Sequence, residues 1–105
     1  MRYLWGEYQI STVDHGPFCL RLRAPLSVLV FCQDDGLWFT QDRLVGLSGI
    51  GQTLAEAHTD LVRRLFDCYR DFVVRMDNGL ANEYTSRLWK RLAALVEVIS
   101  CVGGD

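Results

Sequence analysis

Residues 53–76 constrain this chain more than any other stretch. Thr53, Leu54, Ala55 and Glu56 follow the order of a capping box, in which a threonine hydroxyl and the carboxylate three residues on satisfy amides that a helix leaves orphaned at its start. The pattern predicts a helix from Thr53 to about Met76, with Asp77, Asn78 and Gly79 as a left-handed exit. Its apolar residues, from Leu54 through Leu61, Val62, Leu65, Phe66 and Tyr69 to Phe72, Val73 and Met76, cover about half of the circumference at 100° per residue. One face of a sheet covers less than that. The flank with Val62, Phe66, Tyr69 and Val73 is therefore expected to meet a second helix or a second subunit, and a two-fold homodimer is the expected assembly. Asp60 precedes Arg64 by four, and Asp71 precedes Arg75 by four. Both are expected as solvated intrahelical pairs.

Upstream of this helix the sequence changes period. Residues 3–10 are aromatic-rich and alternate, residues 13–17 are turn-forming, and residues 18–24 alternate with Arg21 and Arg23 on the wet side. Pro25 is expected to end that strand. Residues 26–33 then read as a central strand, apolar on both faces, which turns at Asp34, Asp35 and Gly36 into Trp38, Phe39 and Thr40. Gly46, Gly49 and Gly51 punctuate a last short strand, bulged or at an edge. Downstream, Tyr84, Leu88, Leu92, Leu95 and Ile99 predict a second amphipathic helix over residues 81–101. The expected fold is α+β: an antiparallel sheet of about five strands, made of two hairpins plus a short strand, packed by two C-terminal helices. With 105 residues, half of them hydrophobic, the chain can fill one core but not two. A single domain, 1–105, is expected.

From Val28 to about Val73 the succession of strand, acidic turn, aromatic strand, glycine-punctuated strand and helix, with Gly51, Gln52, Thr53, Leu54, Ala55, Glu56 and Ala57 at the helix start, resembles the HicB-like antitoxin family. Members of that family place a Thr-Leu-x-Glu-Ala helix start after a three-stranded meander. The resemblance implies a small sheet backed by a helix, self-association, and binding of a small toxin protein. Family members usually append a DNA-binding module, whereas this chain continues into one amphipathic helix and carries an additional hairpin over residues 3–24. DNA binding is therefore not implied.

The chemical candidates are few. Three glycines ahead of a helix invite a phosphate-loop reading, but the loop lysine is missing and the spacing is not GxGxxG. His15 falls in a turn. His58, near Glu56, could act as an acid or base only beside a cleft, and no nucleophile signature accompanies it. Cys19, Cys32, Cys68 and Cys101 show no metal-ligand spacing and read as reduced core residues. Neither catalytic residues, a metal nor a cofactor is expected. A net charge of −2 exerts no long-range pull on nucleic acid, and the local cluster of Arg87, Lys90 and Arg91 reads as a solvated face turned away from Trp89. The longest apolar run is far shorter than a membrane span, and residues 1–7 lack the h-region of a signal peptide. A cytoplasmic location is expected. The leading reading is a non-enzymatic protein-interaction domain, dimeric and antitoxin-like, with a small protein as a further partner. The alternative is a small-ligand-binding domain whose cavity is lined by Trp5, Trp38, Phe39 and Phe72.

Overall fold

The structure, a computed structural model, describes residues 1–15, 18–77, 79, 87, 90, 91, 94 and 96–101. Its largest element is a hairpin of two long strands, β1 (Arg2–His15) and β2 (Phe18–Gln33), paired antiparallel from Arg2 opposite Gln33 to His15 opposite Phe18. The sequence reading splits β2 at Pro25; the structure carries it straight through. Ile10 lies opposite Leu26 and Thr12 opposite Arg21, so residues 22–25 bulge out of the ladder against Ser11 alone. A proline, which has no amide to donate, costs little at such a bulge.

Two shorter strands follow, β3 (Trp38–Asp42) and β4 (Ser48–Gly51), each antiparallel to the one before. The turn into β3 is the expected acidic one: Gly36 has a φ of 87° and the Asp35 carboxylate accepts from the Leu37 amide at 3.1 Å. Between β3 and β4 the chain wraps around the buried Asp42 carboxylate. Its Oδ1 accepts from the amides of Leu44, Val45 and Gly46, and its Oδ2 from that of Leu47 at 2.7 Å. Four peptide groups that would otherwise need water are thereby satisfied inside the fold.

A further strand, β5 (Val96–Cys101), corrects the predicted second helix over its last residues. Arg87, Lys90, Arg91 and Ala94 do lie in helical backbone, and most of residues 81–95 lie outside the described residues. From Val96 onward the β-branched residues Val96, Val98 and Ile99 favour extended backbone. A free edge is available to them, because β1 takes one side of β2 along its length and β3 takes only residues 28–32 of the other. β5 fills the rest, pairing residues 18–22. The sheet is thus the antiparallel path β1, β2, β3, β4, with β5 added to β2.

One helix, α1 (Leu54–Asp77), packs on a single face of this sheet. Thr53 is its cap: the Thr53 hydroxyl accepts from the Glu56 amide at 3.1 Å, and the Glu56 carboxylate reaches back to the Gln52 amide at 2.8 Å. Gly79, with a φ of 67°, stands at the expected exit, while Asn78 lies outside the described residues. From Ala57 to Phe66 the apolar arc is satisfied within one chain. Early in α1, Ala57 and Leu61 press on β4. Later, Val62, Leu65 and Phe66 join Val13, Leu22 and Val96 from the far half of the hairpin and from β5. A twisted sheet thus presents itself to a different side of the helix at each end. Val62 and Phe66, each 7% exposed, are core residues and not a docking flank.

Candidate cleft beside His58

A row of four residues crosses the helix-facing side of the sheet: Gly6, Val30, Thr40 and Gly49, each opposite the next. At its β4 end the helix backbone lies directly on Gly49. A Cβ there would lie 2.8 Å from Thr40 Oγ1, 2.5 Å from the Leu61 amide nitrogen and closer still to the Ala57 carbonyl oxygen. Gly51 meets Glu56 and Ala57 in the same way. These glycines serve contact between helix and strand, and they form no phosphate loop. The Thr40 hydroxyl donates to the Ala57 carbonyl at 2.9 Å. Asp60, expected as a solvated partner of Arg64, also ties the strand to the helix, accepting from the Ile50 amide at 2.9 Å as well as from Arg63 and Arg64. Burial would raise the Asp60 pKa, but the Ile50 amide and the two guanidinium groups outweigh it and hold the carboxyl below its ordinary value.

The β1 end of the row is open. Nothing lies within 4 Å of a Cβ built on Gly6. Between β1 and the start of α1 is a cleft of about 460 Å³, walled by Trp5, Tyr8 and Ile10 from β1, Val30 from β2, and Leu54 and His58 from the helix. A second, more polar hollow of about 260 Å³, with Ser11, Thr12, Asp14 and Thr59, lies on the other side of His58. His58 is thus the wall shared by an apolar space and a polar one. Its Nδ1 and the Tyr8 hydroxyl share a hydrogen bond of 2.5 Å, with ring centroids 5.5 Å apart. Burial lowers the His58 pKa and raises that of Tyr8, so both rings are uncharged at neutral pH. Among the described residues His58 Nε2 has no hydrogen-bond partner. Glu56 is engaged in capping the helix, so the structure does not pair it with His58 as an acid–base couple.

The expected aromatic cavity divides between the two faces of the sheet. Trp5 walls the cleft, and Trp38 meets it edge-on, with centroids 5.5 Å apart and planes at 80°. Phe39 follows Trp38 on a strand and therefore faces the other way; its ring lies under the Arg2 guanidinium, 3.7 Å away. The side chain of Phe72 lies outside the described residues, as does that of Val73, while Tyr69 is half-buried against the core. Sequence reasoning left Tyr8 and Gly6 out of any site and gave His58 a chemical role only beside a cleft. One signal was available, a lone glycine in the aromatic run Tyr3, Leu4, Trp5, Gly6, Glu7, Tyr8.

On the sheet's opposite face, where no described element packs, Leu4, Phe31, Phe39 and Ile50 form a second cross-strand row. Leu4 is 63% and Ile50 43% exposed. No group of three or more metal-ligating side chains occurs among the described residues, and none of their helices is long and apolar enough to cross a membrane. No protein-family model, curated protein or solved structure matches the chain.

Proposed function

We propose that this chain is a non-enzymatic protein-interaction domain that pairs with a second copy of itself through the open face of its sheet. The row of Leu4, Phe31, Phe39 and Ile50 carries this reading. It is a contiguous apolar strip spanning four strands, and two such strips packed face to face bury each other at the usual spacing of about 10 Å. Charges around the strip favour a like copy: Arg2 lies over Phe39 and Phe31, and Arg43 pairs with Glu7 at 3.4 Å, so the face carries both signs. An isologous contact brings no block of like charge together.

Sedimentation equilibrium over a range of concentrations tests this. The expected result is a dimer that becomes a monomer on Leu4→Glu with Ile50→Glu, with an unchanged circular dichroism spectrum. A wild-type chain that remains monomeric at all concentrations would end the homodimer reading. In the antitoxin-like version of the proposal a small protein occupies the same strip. That version predicts a complex with the small protein that is lost in the double variant.

A further inference from the structure

We infer that the cleft between β1 and the first turns of α1 binds a small, neutral, planar aromatic molecule that lies against Trp5 and is hydrogen-bonded by His58. Gly6 is the first observation. Glycine weakens a strand; Gly6 follows the bulge at Trp5, yet its φ is not positive and nothing lies within 4 Å of a Cβ built on it, so neither a left-handed backbone nor a close approach requires a glycine there. A Cβ there would meet open space. What the missing side chain does is leave open the floor beside Val30, between the rings of Trp5 and Tyr8.

The chemistry of the walls selects the occupant. Trp5 keeps 62% of its surface exposed, and its edge contact with Trp38 fixes the ring, so a flat aromatic face is available. At about 460 Å³ the cleft is of the size that takes a one- or two-ring ligand. His58 brings the free polar group: with Nδ1 held by Tyr8, Nε2 remains for a ligand donor or acceptor. Among the described residues that line the cleft no net charge faces the ligand, because His58 is neutral and Glu7, the one acidic residue of that lining, alternates with Gly6 and Tyr8 toward the open face of the sheet, where it pairs with Arg43. An ion entering this cleft would lose hydration without gaining a counter-charge.

Three probes sharing one ring separate the possibilities: indole, indole-3-acetate and tryptamine, titrated into the ¹⁵N-labelled chain at pH 7.5. Indole is expected to saturate, with amide shifts centred on Gly6, Tyr8, Ala55 and His58, and to bind at least tenfold more tightly than either charged analogue. Gly6→Leu, which fills the floor, is expected to abolish the shifts while the fold is retained. Should that variant not fold, Ala55→Phe closes the cleft from the exposed side of the helix and must give the same loss. The Leu4→Glu, Ile50→Glu chain must still bind indole, which separates this inference from the dimer reading. The inference is overturned by absence of saturation, by preference for a charged analogue, by shifts elsewhere in the chain, or by binding that survives a filled cleft.

Discussion

Gly49 and Gly6 occupy opposite ends of one cross-strand row, and the same residue type serves opposite ends there. At Gly49 the absence of a side chain lets the helix backbone come down on the sheet; at Gly6 it leaves a space that nothing enters. The first turns of the helix are therefore seated off-centre, fastened to β3 by Thr40 and to β4 by Asp60 and meeting β1 there through the pair of Tyr8 and His58. At these turns the hydrogen-bonded contacts lie on the β4 flank of α1 and the open space on the β1 flank. Such a division is common where a rigid scaffold presents a less constrained site.

Substitutions on the two flanks should differ sharply. Gly49→Ala places a methyl group against peptide backbone, which cannot rotate away, and is expected to cost about 3 kcal/mol or more, a fall of roughly 12 °C or more in the thermal midpoint. A midpoint near that of wild type would show that the helix can lift and that the β4 flank is not tight. Asp42→Ala comes next. Four amides lose their acceptor inside the fold, and a loss of about 2 kcal/mol is expected in denaturant unfolding, with Asp42→Asn intermediate because it keeps one oxygen.

Acid should release the two flanks in different ranges. Burial sets the folded pKa of His58 below the ordinary 6.5, so the unfolded chain takes up the proton first. Its contribution is complete above about pH 6.5 and is lost as pH falls through the lower folded value. Asp60, also held below its ordinary value of 3.8, keeps its contribution until pH falls below that value and through the lower folded one. Thermal midpoints from pH 7.5 to 5 should show a small decline that His58→Phe removes and Asp60→Asn does not. The smallest effect is expected for Gly6→Ala, within about 0.5 kcal/mol of wild type and on the stabilising side, because the unfolded chain loses freedom and nothing in the fold is struck. A clear destabilisation there would mean that the open flank is closed in solution.

Local chemistry made part of this fold legible. The cap at Thr53, the turn at Gly36 and the strand after it depend on residues within a few positions, and the structure has them where the sequence puts them. Register and partnership were less accessible. Whether Pro25 ends a strand depends on where Ile10 and Thr12 find their partners, and whether residues 96–101 form helix or strand depends on a free edge far back in the chain. For the site, strand parity alone separates Trp38 from Phe39. The pairing of Tyr8 with His58, across two elements, has no local sign.

The position of β5 bears on how the protein is made. Residues 18–22 are synthesised well before the strand that covers their edge. Until then the nascent chain carries a bare hydrogen-bonding edge beside Leu22, with Val62 and Phe66 still lacking Val96. Such a half-built sheet invites pairing with a neighbouring nascent chain, so a ribosomal stall shortly before Val96 would be among the most hazardous places for translation to pause.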